Sequence, residues 1–274
     1  MIDHKIAFIG GGNMAKAIAG GLLRGGMHAT NISISEPKSE QCDLLRKELY
    51  GVYVTTENQK VTKEAEIVLF AVKPQILKSV CEELKESIQK TRPLIISIAA
   101  GPNINDIDQW LGKNMSIVRV MPNQPAMIDQ GISAMFANNL TKPQHRVLAE
   151  QIMSAVGKAI WLNDENHMDA VTAISGTGPA YFYLLIEIMI EAAINNGIDP
   201  EVARTLAVET ARGASALSAA TEEDMKAMIE KVSSPGGTTM AALEYLESKD
   251  AKKIFSKAID MAKKRARELA KEAS

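Results

Sequence analysis

Three glycine-bearing turns carry the chemistry that this sequence can do. The first, "FIGGGNMAKAIAGG", sets Gly10, Gly12 and Ala15 in G-x-G-x-x-A spacing, directly after an apolar run and at the start of a helical pattern. Gly10 permits a tight turn, Gly12 lets backbone approach a diphosphate, and Ala15 allows close helix–sheet packing, while the helix N-terminus faces the phosphates. That spacing points to dinucleotide binding. The second turn, "AISGTGPAYFYLL" (173–185), contains no histidine, lysine or cysteine. The third, "SSPGGTT" (233–239), offers consecutive backbone N–H groups and hydroxyls at a helix start, suited to one carboxylate without a cation. Helix capping explains its serine and proline. Capping alone does not call for two adjacent glycines and two threonines.

Which dinucleotide binds is left open by the residues. The second strand ends at "SEPK" (35–38), where Glu36 is placed to bind the ribose 2′-OH of NAD and would repel a 2′-phosphate. Ser35 and Lys38 could hold that phosphate if Glu36 turns away. Lys73 of "AVKPQ" stands at a strand's C-terminal end, where open α/β sheets bind ligands, and suits cofactor contact better than proton transfer. His167 of "DENHMDA" fits a helix start, and His4, His28 and His145 fit surface positions. Met225, Met228 and Met240 read as core packing. Cys42 and Cys81 stand alone, which argues against a disulfide or a metal site and for a reducing compartment.

The elements that must position these turns follow from the hydrophobic pattern. Short apolar runs at 5–10, 32–35, 52–54, 66–72, 94–99 and 116–121 alternate with helical segments such as 13–24 and 75–86. Such alternation predicts a parallel, doubly wound sheet; "GISAMFA" and "AIWLN" add strands near its end. From about Asp164 the pattern is helical, over 177–196, 200–218, 222–231, 237–247 and 249–272. The expected domains are a Rossmann-type dinucleotide-binding domain, 1–163, and an all-helical domain for dimerisation and substrate binding, 164–274. The segment 180–194, "AYFYLLIEIMIEAAI", is apolar nearly all round, so it should be buried on every side, with a second copy of the chain supplying cover. A net charge of −2 gives no general attraction to nucleic acid or anionic membranes. Glu268 and Glu272 interrupt the basic C-terminal stretch, as in a solvated amphipathic helix. No apolar run is expected to span a membrane, and the opening "MIDHKIAFIG" leaves no room for a signal peptide, so the expected location is cytoplasmic.

Five motifs occur in order: "FIGGGNMAKAIAGGL", "AVKPQ", "MPNQPA", "DAVTAISGTGPAYF" and "SSPGGTTMAALEYLE". Together they resemble pyrroline-5-carboxylate reductase over nearly the whole chain. Gln124 stands where the family usually has threonine, and Thr177 where serine is common. The resemblance implies reduction of 1-pyrroline-5-carboxylate to L-proline with NADP(H) or NAD(H), in a fold similar to the 6-phosphogluconate dehydrogenase type. It also implies an intertwined homodimer, and in several members a ring of five dimers. Cofactor contacts then fall on Ile9, Gly10, Gly11, Gly12, Asn13 and Met14, on Ser35, Glu36 and Lys38, on Asn58, on Ala71, Val72, Lys73 and Pro74, and on Ala99 and Ala100. Substrate contacts fall on Ser175 and Gly176 and on Ser234, Gly236, Gly237, Thr238 and Thr239. Thr239 matches the threonine that hydrogen-bonds the ring nitrogen. No metal is implied.

The chemistry of an imine agrees with this. Its nitrogen arrives protonated or takes a proton from water or a hydroxyl, so positioning can supply a large share of the acceleration without a strong protein acid. In related hydroxyacid dehydrogenases a similar glycine turn precedes a lysine, whose place here falls near Phe182. No lysine occurs between Lys158 and Lys226. A hydroxyacid dehydrogenase is therefore disfavoured. A reductase of a neighbouring cyclic imine would share every motif, whereas a non-catalytic dinucleotide-binding regulator would have no reason to keep "SPGGTT".

Overall fold

A computed structural model describes residues 2–273. Along the first part of the chain run β1 (Ile6–Ile9), α1 (Asn13–Arg24), β2 (Ile32–Ser35), α2 (Ser39–Glu48), β3 (Tyr53–Thr55), α3 (Asn58–Thr62) and β4 (Ile67–Phe70). Then come α4 (Pro74–Thr91), β5 (Leu94–Ser97), α5 (Ile104–Trp110), β6 (Ile117–Met121), β7 (Gly131–Ala137), α6 (Pro143–Ser154) and β8 (Gly157–Trp161). The rest is helical: α7 (Met168–Val171), a π turn (Thr172–Gly176), α8 (Gly178–Asn195), α9 (Pro200–Ala219), α10 (Met225–Lys231), α11 (Thr238–Ser248) and α12 (Ala251–Ala273).

The strands form one sheet in the order β3-β2-β1-β4-β5-β6-β7-β8. From β3 to β6 every neighbour is parallel, β7 runs antiparallel to β6, and β8 is parallel to β7. The reversal has a simple cause: only a short connection joins β6 to β7, whereas a parallel crossover needs a dozen residues or more. Alternation along each strand feeds two cores. Ile6 and Phe8 join Ile34, Leu69 and Ile96 on the face covered by α1, α2 and α6. Ala7 and Ile9 join Val68, Phe70 and Ile95 on the face covered by α4 and α5. Burial on both faces is what a doubly wound sheet requires.

The chain divides into two compact units. One runs from the N-terminus through Thr177 and takes in the chain again from Ala262; the other is Gly178–Met261. In the second unit α8 packs along α9, whose small Ala203 and Ala207 are buried. Within the single chain α8 is not covered on every side, which leaves open the face that a second copy is expected to cover: Phe182, Leu184, Leu185 and Ile188 are each 49–58% exposed. The reason is geometric, since α9 is the one helix packed extensively on it among the described residues. Nor are Met225, Met228 and Met240 core residues within the single chain, for Met225 is exposed and Met228 and Met240 are half-buried.

Two other expectations are corrected. The helical stretch Glu165–Asn195, 31 residues long, is by length and composition enough to cross a membrane. Counting unbroken apolar residues overlooked it because Glu187 and Glu191 interrupt the run while the helix continues. His145 is half-buried rather than on the surface, with Nδ1 2.9 Å from Ser116 Oγ. The C-terminal helix does have a solvated charged face, on which Arg265 pairs with Glu268 and Glu272.

Candidate active site

The glycine loop is shaped by its neighbours. Gly10 has φ of +98°, and a Cβ there would lie 2.8 Å from the Ala71 carbonyl oxygen. Its N–H donates to Ser35 O at 2.8 Å, while Ala71 N–H donates to Ile9 O at 2.8 Å, so the ends of β1, β2 and β4 are laced together. Gly11 is buried against Leu45 and Glu36, where a Cβ would meet Leu45 Cδ1 at 2.5 Å. Gly12 differs: a Cβ on it would meet nothing within 4 Å. It caps α1 with no side-chain hydrogen bond, and the first turn of α1 has no acidic residue. The first amides of a helix lack intrahelical partners and carry partial positive charge. Open space in front of such an end fits a diphosphate.

Around this loop the structure gathers the expected cofactor residues of the first unit at the carboxyl ends of neighbouring strands. Ile9 to Met14 follow β1, Ser35 to Lys38 follow β2, Asn58 opens α3, Ala71 to Pro74 lead from β4 into α4, and Ala99 and Ala100 follow β5. The strand order reverses direction between β1 and β4, which is where open α/β sheets bind ligands. Lys73 is the exposed N-cap of α4, followed by Pro74 at its first turn. Ser35 is fully buried, and its Oγ donates to Asn58 Oδ1 at 2.7 Å. Asn58 Nδ2 in turn donates to Glu83 Oε2 at 3.1 Å. Glu36 points at the loop: Gly11 N–H donates to its Oε2 at 3.0 Å and Lys38 N–H to its Oε1 at 3.2 Å.

Ser175 and Gly176 lie in the π turn, within this same unit. Such turns are frequent at functional sites. Ser175 Oγ donates to Val171 O at 3.1 Å, and Gly176 sits against the methyl of Met121 at the end of β6. Residues 234–239 belong to the second unit. There Gly236 has φ of +72°, Gly237 N–H donates to Ser234 O at 2.9 Å, and Gly237 caps α11. A Cβ on Gly237 would lie 2.5 Å from Ser234 Oγ. Each glycine thus has a steric reason of its own, which the capping argument from sequence overlooked. Thr238 and Thr239 begin α11, with Thr239 half-buried. His167 is exposed, immediately before α7.

Four residues were given no role by sequence reasoning. Asn123 is buried; its Nδ2 donates to Ser175 O at 3.2 Å and its Oδ1 accepts from Ile132 N–H at 2.9 Å, tying the π turn to the sheet. Its place in "MPNQPA" was the available signal. Arg119 donates through Nη1 to Glu165 Oε1 at 2.9 Å and through Nη2 to Gly101 O at 3.0 Å. Glu165 Oε1 also accepts from Ile104 N–H at 2.8 Å. The pair therefore braces the loop after β5, and a lone charge inside "SIVRVM" was its signal, since a buried arginine needs a partner. Gln41 Nε2 donates to Gly11 O at 3.1 Å, and nothing in the sequence marked it.

A doubly wound sheet with this glycine loop, followed by a helical unit, defines the class of dinucleotide-binding proteins of two-part architecture. Residues 165–269 match the family model for pyrroline-5-carboxylate reductase dimerisation, and residues 5–101 match that of NADP oxidoreductase, coenzyme F420-dependent. The pyrroline-5-carboxylate reductase of Pseudomonas aeruginosa is 39% identical over 272 residues, covering 99% of each chain. Among solved structures, the pyrroline-5-carboxylate reductase of Coxiella burnetii superposes with a TM-score of 0.91 at 39% identity, covering 98% of this chain and 99% of that one. The Plasmodium falciparum pyrroline carboxylate reductase, solved with NADP bound, gives 0.88 at 28% identity over 98% and 99%. This chain belongs to the pyrroline-5-carboxylate reductase family.

Proposed function

We propose that the chain reduces the C=N bond of 1-pyrroline-5-carboxylate to L-proline, the last step of proline biosynthesis, using NADPH or NADH. The observation that carries this is end-to-end likeness to enzymes of that name, at 39% identity over 99% of the chain. The dinucleotide loop supports it, being open at Gly12 where phosphates need space. The bound dinucleotide supplies the hydride to the C=N carbon. The chain's residues bind and orient. The first amides of α1 would hold the diphosphate of a bound dinucleotide, Glu36 would face its adenosine ribose, and Asn58, Ala71 to Pro74, Ala99 and Ala100 would make further contacts to it. Residues 234–239 offer N–H groups and hydroxyls to the substrate carboxylate, and Ser175 and Gly176 are substrate contacts by the family resemblance. Thr239 hydrogen-bonds the ring nitrogen, which takes its proton from water or a hydroxyl. The absence of lysine between Lys158 and Lys226 suits an imine and not an alcohol.

In this reading residues 164–274 serve as the dimerisation and substrate-binding domain and residues 1–163 as the dinucleotide-binding domain. The match to a dimerisation family and the exposed apolar face of α8 support a homodimer. A ring of five dimers is the further assembly, and the cytoplasm the location, that this reading carries with it.

The test is dinucleotide oxidation by purified protein, with and without 1-pyrroline-5-carboxylate. Substrate-dependent turnover is expected, and Thr239→Ala should lower it while leaving dinucleotide binding intact. Absence of turnover in folded, dimeric protein would overturn the assignment; unchanged turnover in Thr239→Ala would remove that residue from the mechanism.

A further inference from the structure

Resting on the dinucleotide reading above, we propose that Glu36 sets the cofactor preference, and sets it for NADH over NADPH. The sequence leaves two arrangements open: a carboxylate facing the adenosine ribose, or a carboxylate turned away so that Ser35 and Lys38 take a 2′-phosphate. The geometry selects the first. Glu36 is half-buried at the end of β2, with both carboxylate oxygens engaged by backbone amides of Gly11 and Lys38 at 3.0 and 3.2 Å. Its Cβ and Cγ pack on Gly11, so close that a Cβ added there would lie 3.0 Å from Glu36 Cβ. A side chain fixed at three points is not poised to swing out.

The alternative phosphate ligands fail one by one. Ser35 is 0% exposed, and its hydroxyl proton is committed to Asn58 Oδ1 at 2.7 Å. The two amides that would cradle a phosphate at this turn already serve Glu36. Lys38 is exposed, a flexible ammonium on the outer side of the turn, and cannot offset a fixed anion held against the loop. A carboxylate only accepts hydrogen bonds. It pairs with the donating hydroxyls of an unmodified ribose, and it repels the dianionic group that distinguishes NADPH.

Direct titration of the purified full-length protein with NADH and with NADPH, without imine present, separates the cases. We expect NADH to bind at least about tenfold more tightly. Glu36→Gln, which keeps the shape and removes the charge, should raise NADPH affinity about tenfold or more, and Glu36→Ala, which frees both amides, should raise it further. Thermal melting of each variant checks that the loop is intact. NADPH binding as tightly as NADH to the unsubstituted protein would overturn this proposal and leave the reductase reading standing. Binding of neither dinucleotide would overturn both.

Discussion

Two glycines two residues apart in one motif should fail in opposite ways when substituted. At Gly10 an alanine Cβ must fit 2.8 Å from the Ala71 carbonyl oxygen and 3.1 Å from Val72 Cγ1, in a residue with φ of +98°. The backbone conformation costs an L-residue about 1–3 kcal/mol. Forcing a methyl against a strand held in the sheet ladder costs about 1–3 kcal/mol more. The sum, roughly 2–6 kcal/mol, corresponds to a fall in melting temperature of roughly 4 °C or more for a chain of this size. At Gly12 there is nothing within 4 Å for a new side chain to meet, and the α1 end lacks a side-chain cap. Gly12→Ser therefore leaves the melting temperature unchanged or raises it, because serine is the better N-cap. The same hydroxyl then competes for amides that a diphosphate would use. Loss of one charge-assisted hydrogen bond, about 1.5–3 kcal/mol, weakens dinucleotide binding roughly 10- to 100-fold. Thermal melts and dinucleotide titrations on both variants read the two effects separately. If Gly12→Ser melts as low as Gly10→Ala, or binds dinucleotide as tightly as the unsubstituted protein, the separation of shape from binding is wrong.

Removing one partner of the Arg119–Glu165 pair leaves a charge with little solvent, so Arg119→Met should destabilise by about 2–4 kcal/mol, and adding Glu165→Gln should recover part of it; denaturant melts decide. Burial pushes the Cys81 thiol up to about 12, and burial raises Cys42 as well, so neither should react with a thiol reagent at pH 8 until the protein unfolds, which labelling and mass spectrometry can follow. The His145 pKa is lowered, first by burial and then by the charges of Lys142 and His4. Its unfolded form binds the proton more readily, so this stabilisation is present above the ordinary value of 6.5 and lost as pH falls through the lowered folded value. As pH drops from 6.5 through the lowered folded value, the melting temperature should accordingly fall more steeply than in His145→Gln.

Much of the fold was legible because each strand is a short apolar run between turn residues. The run at 32–35 is β2 to the residue, and 94–99 overshoots β5 only by Ile98 and Ala99. The helical second half was equally plain, its starts marked by residues such as Asp199, whose carboxylate accepts from Glu201 N–H at 2.9 Å before Pro200 opens α9. The direction of β7 was not legible, since apolar patterning is the same for parallel and antiparallel neighbours. At the site, the glycine spacing announced the loop, but not which way Glu36 faces. That depends on Gly11, 25 residues away, offering an amide at the right height. The Asn123–Ser175 tie spans 52 residues and the Arg119–Glu165 pair 46, and contacts of that kind leave no periodic trace in a sequence. The apolar character of α8 was legible as a demand for cover, which the single chain by itself does not meet.

The closing turns of α12 belong with the sheet and not with the helices that precede them. Gly101, with φ of +109°, lies so near Ala270 that a Cβ would be 3.3 Å from its Cα, and Arg267 Nε donates to Asp169 at 3.2 Å. The two halves are consequently not exchangeable modules at the genetic level. A recombination event that joined this dinucleotide-binding half to some other C-terminal half would remove the wall behind the loop that follows β5. An ancestor assembled from two genes would have had to refine that seam afterwards, and drift at the extreme C-terminus is answerable to a loop more than 160 residues upstream.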